Sequence, residues 1–101
     1  MNLANFRASL TDTQPTTPYL PLRAMWYAAQ GDWHQAHDLL QDDNTPHGAW
    51  VHAYLHRKEP DAANAAYWYR RAGKPVASGS FEAEWDAIVA ALLAEEPNGN
   101  S

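Results

Sequence analysis

Two histidines four residues apart, His52 and His56, are the best-spaced metal donors in the chain. At i and i+4 of a helix two imidazoles reach one ion, and Glu59 or Asp61 follows at the next turn. A zinc site needs three or four ligands, and no His-Glu-x-x-His pattern completes this one. A helical wheel sets both rings away from the apolar arc of their helix, although repeat register packs His56 partly between helices. The reading favoured for the pair is structural or solvent-facing, with metal or ligand chemistry at His52 and His56 as the alternative.

His34 and His37, with Asp38 beside them, read as one exposed helix face. No Ser or Cys stands in a nucleophile motif, and an all-helical chain has no strand-to-helix elbow to carry one. A hydrolase triad is therefore disfavoured, and the expectation is a non-catalytic protein without a cofactor. Arg57, Lys58, Arg70, Arg71 and Lys74 hold five of the seven basic residues. In an antiparallel hairpin the two groups lie on the order of 15 Å apart, so each complements a helix C-terminus better than both build one phosphate-binding patch. Trp50, Tyr54, Arg57 and Lys58 form a stripe of aromatic anchors beside cations, suited to a peptide or protein partner that carries a carboxylate. The competing reading buries Trp50 and Tyr54 as core.

Composition narrows the classes further. The chain has 101 residues, enough for one domain and one core without metal or disulfide staples. The absence of cysteine removes disulfides, thiolate zinc sites and cysteine nucleophiles together. A net charge of −5 opposes general polyanion binding, so nucleic acid is not an expected partner. No apolar run has the length of a signal peptide or a membrane span, and the cytoplasm is the default location. Five tryptophans imply either a bulky core or an adhesive groove.

The elements that must position these residues are helices. Leu3, Phe6 and Leu10 suit a short capping helix, and the proline-rich stretch that follows reads as a linker. Helices are expected from about Pro21 to Gln30, from Trp33 to about Gln41, and from Thr45-Pro46 to Arg57-Lys58. Pro60 is expected to open the fifth, which Gly73 and Pro75 stop. Phe81, Trp85, Ile88 and Leu92 share one face of a last helix that runs to about Glu95, with Ser80 as its cap.

The chain repeats its hairpin at an offset of 29: Ala24, Tyr27, Asp32, Ala36 and Leu40 correspond to Ala53, His56, Asp61, Ala65 and Tyr69. Alanines recur where paired helices approach closely, and a larger residue recurs four positions after the second alanine. The segments RAMWYAAQGDWHQAHDLL and AWVHAYLHRKEPDAANAAYWYRRA resemble the tetratricopeptide-repeat superfamily and its Sel-like relatives over roughly residues 20 to 75. The second string also resembles those of small bacterial proteins. The resemblance implies an all-α, right-handed stack of two antiparallel helical hairpins, with the Phe81 helix covering it and first helices lining a peptide-binding groove.

The resulting expectation is a capping or flexible segment over 1–17, a TPR-like domain over 18–95 and a disordered tail over 96–101. Its function would be protein–protein interaction through Trp50, Tyr54, Arg57 and Lys58, with an unknown protein, a peptide or a second copy of the chain as partner.

Overall fold

All but one of the described helices start where a short polar side chain accepts a hydrogen bond from the backbone N–H three residues on. In the computed structural model, which describes residues 1–95, Asn2 caps α1 (Leu3–Ala8), which runs on into a 3-10 turn at Ser9–Thr11. Asp32 caps α3 (Trp33–Leu39), Thr45 caps α4 (Pro46–Lys58) and Asp61 caps α5 (Ala62–Ala72). Ser80 accepts from the Ala83 amide at 3.0 Å at the head of α6 (Phe81–Glu95). The exception is α2 (Leu20–Ala29), which has no side-chain cap and begins with Pro21 in its first turn. The tail expected over 96–101 lies outside the described residues.

The expected helices are present, with one boundary displaced. Pro60 does not open α5. It sits in the turn behind a cis peptide bond from Glu59, and Asp61 takes the cap, so the helix starts at Ala62. Gly73 ends α5 with φ at 73°, a left-handed conformation that favours glycine, and the Lys74 amide reaches back to the Tyr69 carbonyl at 3.0 Å.

Helices α2 and α3 form one hairpin, α4 and α5 a second, and α6 covers α2 and α4. The alanine seams are where the repeat places them: Ala24, Ala36, Ala53 and Ala65 are all buried. Leu22, Met25, Leu40, Val51, Leu55, Ile88 and Leu92 make the common core. Phe6 of α1 joins it, with its ring 5.8 Å from that of Trp85. The N-terminal segment is held by more than this contact, because Trp26 donates its indole N–H to the Ser9 carbonyl and Gln30 donates to that of Leu10. No strand occurs among the described residues, and no described helix is long and apolar enough to cross a membrane.

The covering face of α6 differs from expectation at its start. Trp85, Ile88 and Leu92 are buried, but Phe81 is 41% exposed. Glu84, in the first turn of the helix, turns inward. Its carboxylate accepts from Arg57 of α4 at 2.7 Å and from the Tyr69 hydroxyl of α5. One carboxylate thus joins three helices, and the charge-assisted bonds offset its desolvation.

Candidate metal centre

Helix α4 lies between two partners, which is why a one-sided wheel misplaces its histidines. Val51, Tyr54 and Leu55 face the common core, while the opposite flank is closed by α3 and α5. His52 and His56 therefore stand in the interior, 4% and 7% exposed. The wheel set His52 away from the apolar arc, and the repeat register covered His56 only partly; the second buried flank of α4 accounts for both differences. His37 of α3, expected on an open face, is also half-buried and meets both of them. His34 alone of that pair remains exposed.

The three imidazoles form a closed group. Ring centroids of His37 lie 5.1 Å from His52 and 5.3 Å from His56, both edge-on. One donor atom from each residue lies within 4.8 Å of the others. Two indoles hold the group: Trp33 stacks on His37 at 4.8 Å, and Trp68 stacks on His52 at 4.2 Å. Trp33 is itself anchored by its N–H, which donates to the Leu55 carbonyl at 2.7 Å.

Hydrogen bonding sets the tautomers. The Nε2 of His52 faces the Leu40 carbonyl at 3.1 Å, and a carbonyl only accepts, so Nε2 carries the proton. That leaves a lone pair on Nδ1, which is buried and has no partner. The Nδ1 of His56 faces the Glu59 carboxylate at 2.9 Å, so it is the donor and Nε2 keeps the lone pair. A carbonyl behind one imidazole and a carboxylate behind another is the outer shell that orients metal-binding histidines.

Electrostatics keep His37 and His52 in the ligating form. The pKa of His52 is lowered chiefly by burial, with the Leu40 carbonyl opposing and His37 and His56 adding to the effect. His37 is lowered by burial first and then by His56. Neutral imidazole is the species that binds a metal. Zinc–nitrogen bonds of about 2.0–2.1 Å place tetrahedral ligand atoms roughly 3.3 Å apart, so the rings would draw closer than their present 4.8 Å limit to hold an ion. His56, Glu59 and Asp61 also converge. In that set, however, Asp61 caps α5 and Glu59 already orients His56.

The four residues expected to bind a partner do not share one surface. Trp50 is half-buried, with the Lys74 ammonium 4.2 Å from its ring centroid, and lines a groove with Tyr69 and the loop after α5. Tyr54 is buried, and Arg57 is engaged by Glu84 and the Gly79 carbonyl. Lys58 is exposed, its ammonium 5.8 Å from the Tyr54 ring centroid and 5.6 Å from that of Phe81. Only Tyr54 and Lys58 line a common cavity. Helix α6 and the loop before it lie against the remaining two.

No protein-family model, curated protein or solved structure matches this chain.

Proposed function

We propose that this protein binds a divalent transition-metal ion through His37, His52 and His56. The observation that carries the reading is that His52, whose Nδ1 is buried and unpartnered while Nε2 faces the Leu40 carbonyl, is grouped with His37 and His56 so that one ring nitrogen of each lies within 4.8 Å of the others. Leaving such an atom unsatisfied costs about 1–3 kcal/mol, which an ion would recover. Three imidazole nitrogens suit borderline cations such as Zn2+, Co2+, Ni2+ or Cu2+ rather than Ca2+ or Mg2+. Titration of the full chain with Zn2+ and Co2+ tests the reading. One equivalent of metal should bind and raise the thermal midpoint, and both effects should vanish in His52→Phe and His37→Gln. Absence of saturable binding, or binding that survives both changes, refutes it.

A second reading is a non-catalytic interaction module built of TPR-like hairpins, supported at Tyr54 and Lys58 because these two line one cavity. A partner seated there would be lost on Tyr54→Phe combined with Lys58→Met and retained in Trp50→Phe.

A further inference from the structure

A second site stands apart from the histidines, where α1 and its 3-10 turn, α2, α4 and α6 meet around a cavity of about 560 Å3. Its size is that of a small-molecule pocket, and such pockets combine apolar walls with a few converging polar groups. The walls are Leu10, Ala28, Phe81 and Trp85. The indole N–H of Trp85 is already given to the Met25 carbonyl, so this residue offers only its ring.

Two hydrogen-bond donors on the wall are uncommitted, beside the carboxylate of Glu82. Tyr54 is 3% exposed, yet its hydroxyl makes no hydrogen bond among the described residues. Its oxygen is not among the buried unpartnered atoms, so the hydroxyl opens onto the cavity, where it can donate to a bound acceptor. A phenol keeps its proton across physiological pH. Lys58 is the other. Its ammonium lies over the Tyr54 and Phe81 rings and makes no ion pair among the described residues. The remaining charges on the lining are Arg7, spent on Asp86, and Glu82.

We infer that this cavity binds a small aryl carboxylate, with Tyr54 donating its hydroxyl hydrogen to the carboxylate, Lys58 supplying the counter-charge, and Phe81 and Trp85 taking the ring. A donor and a cation require an anionic acceptor, and three aromatic walls select an aryl body over an aliphatic one. The inference is independent of the metal-binding reading and uses none of its residues.

The test is a titration of the full chain with phenylbutyrate and with phenylbutylamine, both in excess EDTA, followed by chemical-shift perturbation. The acid should bind saturably and the amine should not. Tyr54→Phe should weaken the acid by about tenfold, the scale of a hydrogen bond to a charged group. Lys58→Met, at an exposed position, should weaken it by roughly threefold to fivefold, the scale of a solvent-screened ion pair. Equal binding of the amine, or unchanged affinity in both variants, overturns the inference. So does acid binding that is absent in EDTA and appears only when the titration is repeated with Zn2+, which would put the carboxylate on a metal. Tighter binding of an acetylated peptide ending in phenylalanine than of the free acid would overturn the small-molecule assignment in favour of a chain terminus.

Discussion

Trp68 lies flat on His52, with centroids 4.2 Å apart and planes 14° from parallel, so a residue of α5 fixes the orientation of an imidazole on α4. The stack holds the ring from one side while the Leu40 carbonyl holds Nε2. Trp68→Ala should release the ring and weaken metal binding by roughly tenfold, the low end of what outer-shell changes cost. It should also destabilise the chain by about 2 kcal/mol, less than a fully buried tryptophan would. Paired calorimetric and urea titrations separate the two effects.

The apoprotein should tolerate His52→Phe. Phenylalanine keeps the stack on Trp68 and removes the unsatisfied Nδ1, which offsets the lost bond to Leu40. Each contribution is about 1 kcal/mol, so the unfolding midpoint in EDTA should move little while zinc protection disappears. A large loss of stability in EDTA would mean that the Leu40 bond dominates.

Stability should fall on mild acidification. His37 and His52 both have folded pKa values below the ordinary 6.5, for which burial is the first cause. The unfolded chain therefore takes up protons that the fold excludes. The stabilisation is complete above about 6.5 and is lost as pH drops through that value toward the lowered folded ones. Each excluded proton contributes up to ~1.4 kcal/mol per pH unit. Asp38 and Glu59 near His37, and Asp43 near His52, reduce the slope by favouring the charged rings. Urea unfolding at successive pH values should show the loss, and the double variant His37→Gln, His52→Phe should flatten it.

Glu84→Gln should be among the most damaging surface-adjacent changes. It leaves the Arg57 cation without its carboxylate and replaces the acceptor of the Tyr69 hydroxyl with a weaker one. Breaking a buried pair by removing one partner costs about 3 kcal/mol, and Arg57 keeps the Gly79 carbonyl as partial compensation. Denaturant midpoints compared with Glu82→Gln, an exposed neighbour, isolate the buried contribution.

Helix positions were legible because caps, prolines and alanines act locally. Asp32 and Asp61 stand 29 residues apart, and each accepts from the amide three residues on at 3.2 Å. The repeat also marked Tyr27 and His56 as packing positions, and His56 is buried. His37 was not legible, since its burial depends on how α3 leans on α4, a tertiary relation that helical periodicity does not encode. Glu84 was missed for the same reason: a carboxylate in a first turn is normally solvated, and only the arrival of Arg57 and Tyr69 from other helices makes an inward position tolerable. The stripe Trp50, Tyr54, Arg57 and Lys58 was read from one face of one helix; that Arg57 is taken up by Glu84 and the Gly79 carbonyl, and that Trp50 lines a different groove from Tyr54 and Lys58, follows from where α6 and its preceding loop settle.

The meeting of α4, α5 and α6 on the Glu84 carboxylate bears on whether the hairpin is a transferable part. A fragment ending after α5 would retain Arg57 and Tyr69 at a junction shaped for an acid that is no longer there. Sequence repetition marks α4 and α5 as one unit, but charge balance makes α6 a member of it, so the smallest piece that can be grafted elsewhere comprises three helices.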